Sequence, residues 1–169
     1  MGKTSRREIE DMPIFEEINE KIKRAREALK SIDYVTENVS AQEFHDYMTG
    51  EIFSDDPTTL ADVLGNEYIM VHELAEISEL KKMGRHTDKR VIVDSPKTVI
   101  YEAHFNAIEL ELNYALFKSD YYWVKVRLKQ HRESVLEDDP NLPEMLRPRG
   151  EEILKKFSAL VTGKSVSKA

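Results

Sequence analysis

Two segments near the middle of the chain, NEYIMVHELAEISELKKMG (66–84) and TVIYEAHFNAIELELNYALF (98–117), read as amphipathic helices with carboxylates where a core is expected. Each residue turns about 100° round a helix. Ile69, Met70, Leu74, Ile77 and Leu80 then share one apolar arc of the first segment; Glu73 falls inside that arc and Glu76 at its edge. In the second, Glu102, Asn106, Glu109 and Asn113 form a stripe within roughly 60° of one another. That stripe is hemmed on both sides by apolar residues such as Phe105, Ile108 and Leu112, or Val99, Ala103 and Leu110. His104 and Glu111 point away from it and are expected in solvent. His72 is expected on a helix flank, as a surface residue paired to carboxylates.

Buried carboxylates cost several kcal/mol unless they are protonated, paired or bound to a cation. Four glutamates and two asparagines offer hard oxygen donors, which suit Mg²⁺ or Mn²⁺. The expected metal ligands are therefore Glu73, Glu76, Glu102 and Glu109, with Glu73 and Glu76 also catalytic. Asn106 and Asn113 would position a substrate. Arg85 and Lys89 from the basic connection 85–90, and Arg127 from the run 125–132, would neutralise phosphate charge. A nucleotide or another phosphorylated small molecule is the expected ligand. HELAE has Glu76 where a zinc protease HExxH has its second histidine, so no zinc is expected.

HELAEISEL resembles the ExxE helix of the all-α nucleoside triphosphate pyrophosphohydrolases, the MazG-like group. In that family an ExxE on one helix and an ExxD on the next bind Mg²⁺, and the nucleotide is cleaved between its α- and β-phosphates. Glu73 and Glu76 match the first motif, and Glu102 stands where the second could open. Phe105 occupies the place of the aspartate. The resemblance implies a helical fold assembled across dimers.

The remaining sequence predicts an all-α, single-domain antiparallel bundle of about five to six helices spanning 1–169. Flexible ends are expected at 1–11 and 164–169, and a short extended piece near 91–94. A first helix opens at Pro13 with Ile14, Ile18, Ile22, Ala25 and Leu29 on one face. Ser40 to Glu43 is a capping box. Asp56-Pro57 starts another helix, and Gly84 and Gly163 are expected C-terminal caps. The helix from 98 is expected to continue through 121–137. Tyr122, Val124, Val126 and Leu128 also alternate as in a strand, but with no partner beyond 91–94 helix is favoured.

With 34% charged residues and a net charge of −7, attraction to nucleic acid or an anionic membrane is not expected. The absence of cysteine excludes disulfides and Cys-ligated zinc. No apolar run is long enough for a membrane span, and MGKTSRREIED lacks a signal-peptide core; a cytoplasmic protein is expected.

Two other functional readings fit the same residues. One is a non-catalytic helical protein, a homo-oligomer or a subunit, whose polar stripe sets helix register. The other is a degenerate HD-type phosphohydrolase using His45-Asp46, or His45 with His72-Glu73 and Asp120. It lacks a histidine before His45.

Overall fold

The two central segments form long helices, and the rest of the chain wraps them. The computed structural model describes residues 6–54 and 56–164, all helix, turn or irregular chain without a strand. Eight α-helices lie among them: α1 (Arg6–Ser31), α2 (Ala41–Met48), α3 (Leu60–Leu64), α4 (Glu67–Lys82), α5 (Val91–Asp94), α6 (Lys97–Phe117), α7 (Tyr121–Gln130) and α8 (Arg147–Val161). A π-helical turn, His131–Glu137, continues α7, and a 3₁₀ turn, Glu144–Leu146, precedes α8. The expected all-α bundle is what the chain forms. The ends at 1–5 and 165–169 lie outside the described residues.

α4 is opened by Asn66, whose side chain accepts from the Tyr68 and Ile69 amides at 2.9 and 3.1 Å. It is closed by Gly84, which takes φ 83° and lets the Arg85 amide reach the Leu80 carbonyl at 2.9 Å. α4 packs antiparallel along α6, as the pairs Tyr68/Tyr114, His72/Glu111 and Glu76/His104 demonstrate. Ala75 on α4 and Ala103 and Ala107 on α6 are fully buried together, small enough to let the helices approach.

α1 and α2 cover the other side of α4 through Ile18, Ile22, Leu29, Phe44, Leu74 and Ile77. A second apolar cluster joins α6 to α7 and α8 through Phe105, Ile108, Leu112, Val124, Ile153 and Phe157. Each of these large side chains contributes about 1.5–3 kcal/mol by leaving water. α8 approaches the π-helical turn at Gly150, where a Cβ would stand 2.7 Å from Leu136 Cδ2. Gly150 also offers its carbonyl to His131 Nε2 at 2.8 Å.

Three local expectations are corrected. Residues 91–94 are a helical turn, not extended: the Asp94 amide reaches the Arg90 carbonyl at 2.8 Å and Val91 is buried. α1 begins at Arg6, ahead of Pro13 rather than at it. The helix from 97 does not run on through 121. It stops at Phe117, Ser119 takes a left-handed φ of 57°, and the chain folds back as α7. Asp120 caps the new helix by accepting from the Trp123 amide at 3.0 Å, and its other oxygen accepts from the Tyr68 hydroxyl at 2.7 Å. One carboxylate thus both starts α7 and pins it to α4.

Asp120→Ala is expected to lower unfolding stability by about 2 kcal/mol, one part for the cap and one for the tyrosine bond. Asp120→Asn, which keeps the cap acceptor, should lose less. Urea titration followed by circular dichroism measures both; an unchanged midpoint in the alanine variant contradicts this account of the turn.

Candidate metal centre

α4 and α6 face one another with charged groups at the middle of their contact. His72 and Glu76 lie one turn apart on α4, hence on one face; His104 and Glu111 lie two turns apart on α6 and likewise share a face. His72 is 2% exposed, Glu76 7% and Glu111 0%. His72 bridges the two carboxylates, with Nδ1 at 2.9 Å from Glu111 Oε1 and Nε2 at 3.0 Å from Glu76 Oε2. His104 Nδ1 approaches the same Glu76 oxygen at 3.3 Å. Tyr47 of α2 donates its hydroxyl to Glu76 Oε1. Trp123 Nε1 and Arg127 Nε, both from α7, donate to Glu111 at 2.7 and 3.1 Å.

The charges follow from these contacts. Burial would discharge His72, but its hydrogen bonds to Glu111 and Glu76 outweigh that and raise it to about 9. The ring is therefore an imidazolium at neutral pH, donating to both carboxylates. Glu76 is also opposed by burial, yet bonds from His104 and His72 hold it well below the usual carboxylate range. Burial favours protonated Glu111, and the Arg127 charge with the His72 and Trp123 hydrogen bonds overcomes this and keeps it ionised. His104 is pushed down, first by burial, and stays neutral. Glu73, half-buried on α4, is pushed up by burial and then by the charge on Glu76.

His72, Glu76 and His104 each offer one ligand atom, and these atoms lie within 4.8 Å of one another. The separations of 3.0 and 3.3 Å to Glu76 Oε2 match the edge between two ligands that each stand about 2.0–2.2 Å from one ion. Two imidazole nitrogens and a carboxylate oxygen make up a donor set that divalent transition metals accept readily. To receive an ion, His72 must release the Nε2 proton and His104 must carry its proton on Nε2.

The other expected site residues lie elsewhere. Glu102 is exposed and Asn113 half-buried on α6. Glu109 faces α8, where Arg149 and Lys156 donate to it at 2.5 and 3.3 Å. Asn106 donates to Glu79 at 3.1 Å and accepts from Arg149 at 3.5 Å. Asn106 and Glu109 of the α6 stripe are thus paired with the cations of α8. Arg85 is bound to Ser95 at 3.0 Å, and Lys89 is exposed beside the close approach at Gly50. Arg127 holds Glu111 rather than open space. His45 packs edge-on against Phe15 and Asp46 accepts from Gln42, so α2 brings Tyr47, not its His-Asp pair, to the cluster.

Two expectations are overturned. His72 is in the core, not on the surface, and Glu111 is among the most deeply buried residues of the chain. HELAE itself carries one imidazole, and His104 of the neighbouring helix stands as a second one beside Glu76. No family model, characterised protein or solved structure matches this chain.

A pH dependence follows. The folded-state pKa of His72, about 9, lies above its ordinary 6.5, so the folded protein keeps a proton that the unfolded chain releases. The stability from this group is complete below about pH 6.5 and is lost as the pH rises through about 9. Glu73 acts in the same direction from a lower starting pH. Metal-free protein should therefore lose a few kcal/mol between neutral pH and pH 9 in urea titrations, and Glu73→Gln should make the fall shallower. A flat or rising profile over that range contradicts the protonation pattern.

Proposed function

We propose that the chain binds a divalent transition-metal ion between α4 and α6 and uses it for hydrolysis. The observation that carries this reading is the convergence of His72 Nε2, Glu76 Oε2 and His104 Nδ1. Three protein ligands with a further position open to water is the pattern of hydrolytic rather than structural sites. The bound ion would lower the pKa of a water molecule at that position and make it a nucleophile near neutral pH.

The protein's own residues supply the rest. Tyr47 occupies Glu76 Oε1 and leaves Oε2 for the ion. Glu73, three residues before Glu76 on α4 and partly exposed, is the group suited to accept the water's proton once it has lost its own above neutral pH. Nitrogen donors favour Zn²⁺, Mn²⁺ or Fe²⁺ over Mg²⁺, which takes oxygen ligands and keeps its waters. Phosphate esters and nucleotides, the ligands of the MazG-like enzymes that HELAEISEL resembles, are the first substrates to test.

A non-catalytic reading is favoured by a different observation. Both ring nitrogens of His72 and both oxygens of Glu76 and Glu111 already have protein partners. Satisfied in this way, the cluster can serve as a polar register pin between α4 and α6 with no ion.

Thermal melts of metal-stripped protein with Zn²⁺, Mn²⁺ or Mg²⁺ separate the two. A bound ion stabilises the fold by mass action, about 2.7 kcal/mol at a hundredfold excess over the dissociation constant. The expected result is a rise in midpoint with Zn²⁺ or Mn²⁺ that His104→Ala and Glu76→Gln abolish. In the loaded protein, Glu73→Gln should slow turnover of phosphate esters or nucleotides by about 100-fold or more while binding the ion. No shift with any of the ions sinks the metal reading and leaves the register pin. A shift without turnover of any such substrate removes the hydrolase assignment.

A further inference from the structure

We infer that Glu111, clamped by Trp123 and Arg127 of α7, is the positioning residue that makes His72 a metal ligand. This rests on the metal reading above and adds to it a carboxylate–imidazole–metal relay whose outer part is a helix that holds no ligand itself.

An imidazole can bind an ion through one nitrogen only if its proton sits on the other. A buried ring with no partner on that side is free to turn or to exchange its proton between the two nitrogens. Glu111 restricts that freedom: its Oε1, an acceptor only, stands 2.9 Å from His72 Nδ1, nearer than the Arg127 Nη2 donor at 3.4 Å, so when Nε2 gives up its proton to make way for an ion the remaining proton stays on Nδ1, and Nε2 faces Glu76 and His104. Outer carboxylates hold metal-bound histidines in this way in many proteins.

The carboxylate is itself held rigidly. Its side chain is 0% exposed, and Trp123 Nε1 donates to Oε2 at 2.7 Å while Arg127 Nε donates to Oε1 at 3.1 Å. Trp123 and Arg127 are four residues apart on α7 and so point the same way. Trp123 is further fixed by stacking on Tyr68, with ring centroids 5.1 Å apart and an angle of 18°. α7 is in turn set by Asp120, which caps it and takes the Tyr68 hydroxyl. The relay therefore runs from the turn at Ser119–Asp120 through α7 to Glu111, and from there to His72.

The test measures Zn²⁺ and Mn²⁺ binding by calorimetry at a temperature where every variant is folded, with His72 ring ¹⁵N shifts recorded in the Zn²⁺-loaded protein. In the natural protein the ¹⁵N spectrum should place the proton on Nδ1 and the ion on Nε2. Glu111→Gln should weaken binding by about 10- to 100-fold and blur that assignment. Trp123→Phe keeps the carboxylate and removes one donor to it, so it carries the test if Glu111→Gln does not fold; it should weaken binding several-fold. A purely structural role would lower the melting temperature but leave the affinity of the folded protein and the ¹⁵N shifts unchanged. Unchanged affinity in Glu111→Gln, or in Trp123→Phe where that variant stands in for it, overturns this inference with the metal site intact. No ion bound by the natural protein overturns the metal reading itself.

Discussion

The ionised chain Glu76–His72–Glu111–Arg127 is the interaction on which this structure depends. Two carboxylates, an imidazolium and a guanidinium alternate through the contact of three helices, each charge beside one of opposite sign. Buried charges are tolerable only in that arrangement, because removing one member leaves its neighbour uncompensated in a low dielectric at a cost of about 3–5 kcal/mol. The helices carrying them are consequently held in one register: sliding α4 along α6 by a turn would strand His72 from Glu111 and His104 from Glu76.

That constraint explains the role of α6. It packs against α1, α4, α7 and α8, and its buried residues cover roughly 200° of its circumference. One side carries the charged contact with α4, another the stripe of Asn106 and Glu109 that Arg149 and Lys156 of α8 neutralise. Aromatic groups stand between these polar regions. The Phe105 ring lies 5.9 Å from His104 and 5.7 Å from His131, whose ring donates to Gly150 of α8. Burial pushes His131 down to about 4, so this second buried histidine is neutral where His72 is charged. The difference is set by partners, a backbone carbonyl in one case and two carboxylates in the other.

Much of the scaffold was legible from local chemistry. The periodicities of 66–84 and 98–117, the Ser40–Glu43 capping box and the glycine caps at 84 and 163 each depend on neighbours within a few residues, and each forms as expected. The centre of the site was legible only in part. Glu76 lies in it and Glu73 beside it, but the sequence pattern turns Glu111 and His104 toward solvent, because a helical wheel shows which residues share a face and not what covers that face. What covers Glu111 is α7, folded back by a left-handed serine and an aspartate cap. Ser119-Asp120 before the apolar run carried that signal as a helix start. The spacing of His72 with Glu76 and of His104 with Glu111 was a second one, two polar pairs each confined to one helix face.

The most direct test of the metal centre is anomalous diffraction from crystals soaked in Zn²⁺ or Mn²⁺, recorded above and below the metal's absorption edge. One strong peak is expected between α4 and α6, about 2.0–2.2 Å from His72 Nε2, Glu76 Oε2 and His104 Nδ1. The His72 Nδ1–Glu111 hydrogen bond should still be in place. A fully soaked crystal with no peak there, and His72 still bridging Glu76 and Glu111, would contradict the metal centre and identify the cluster as a charged pin between two helices.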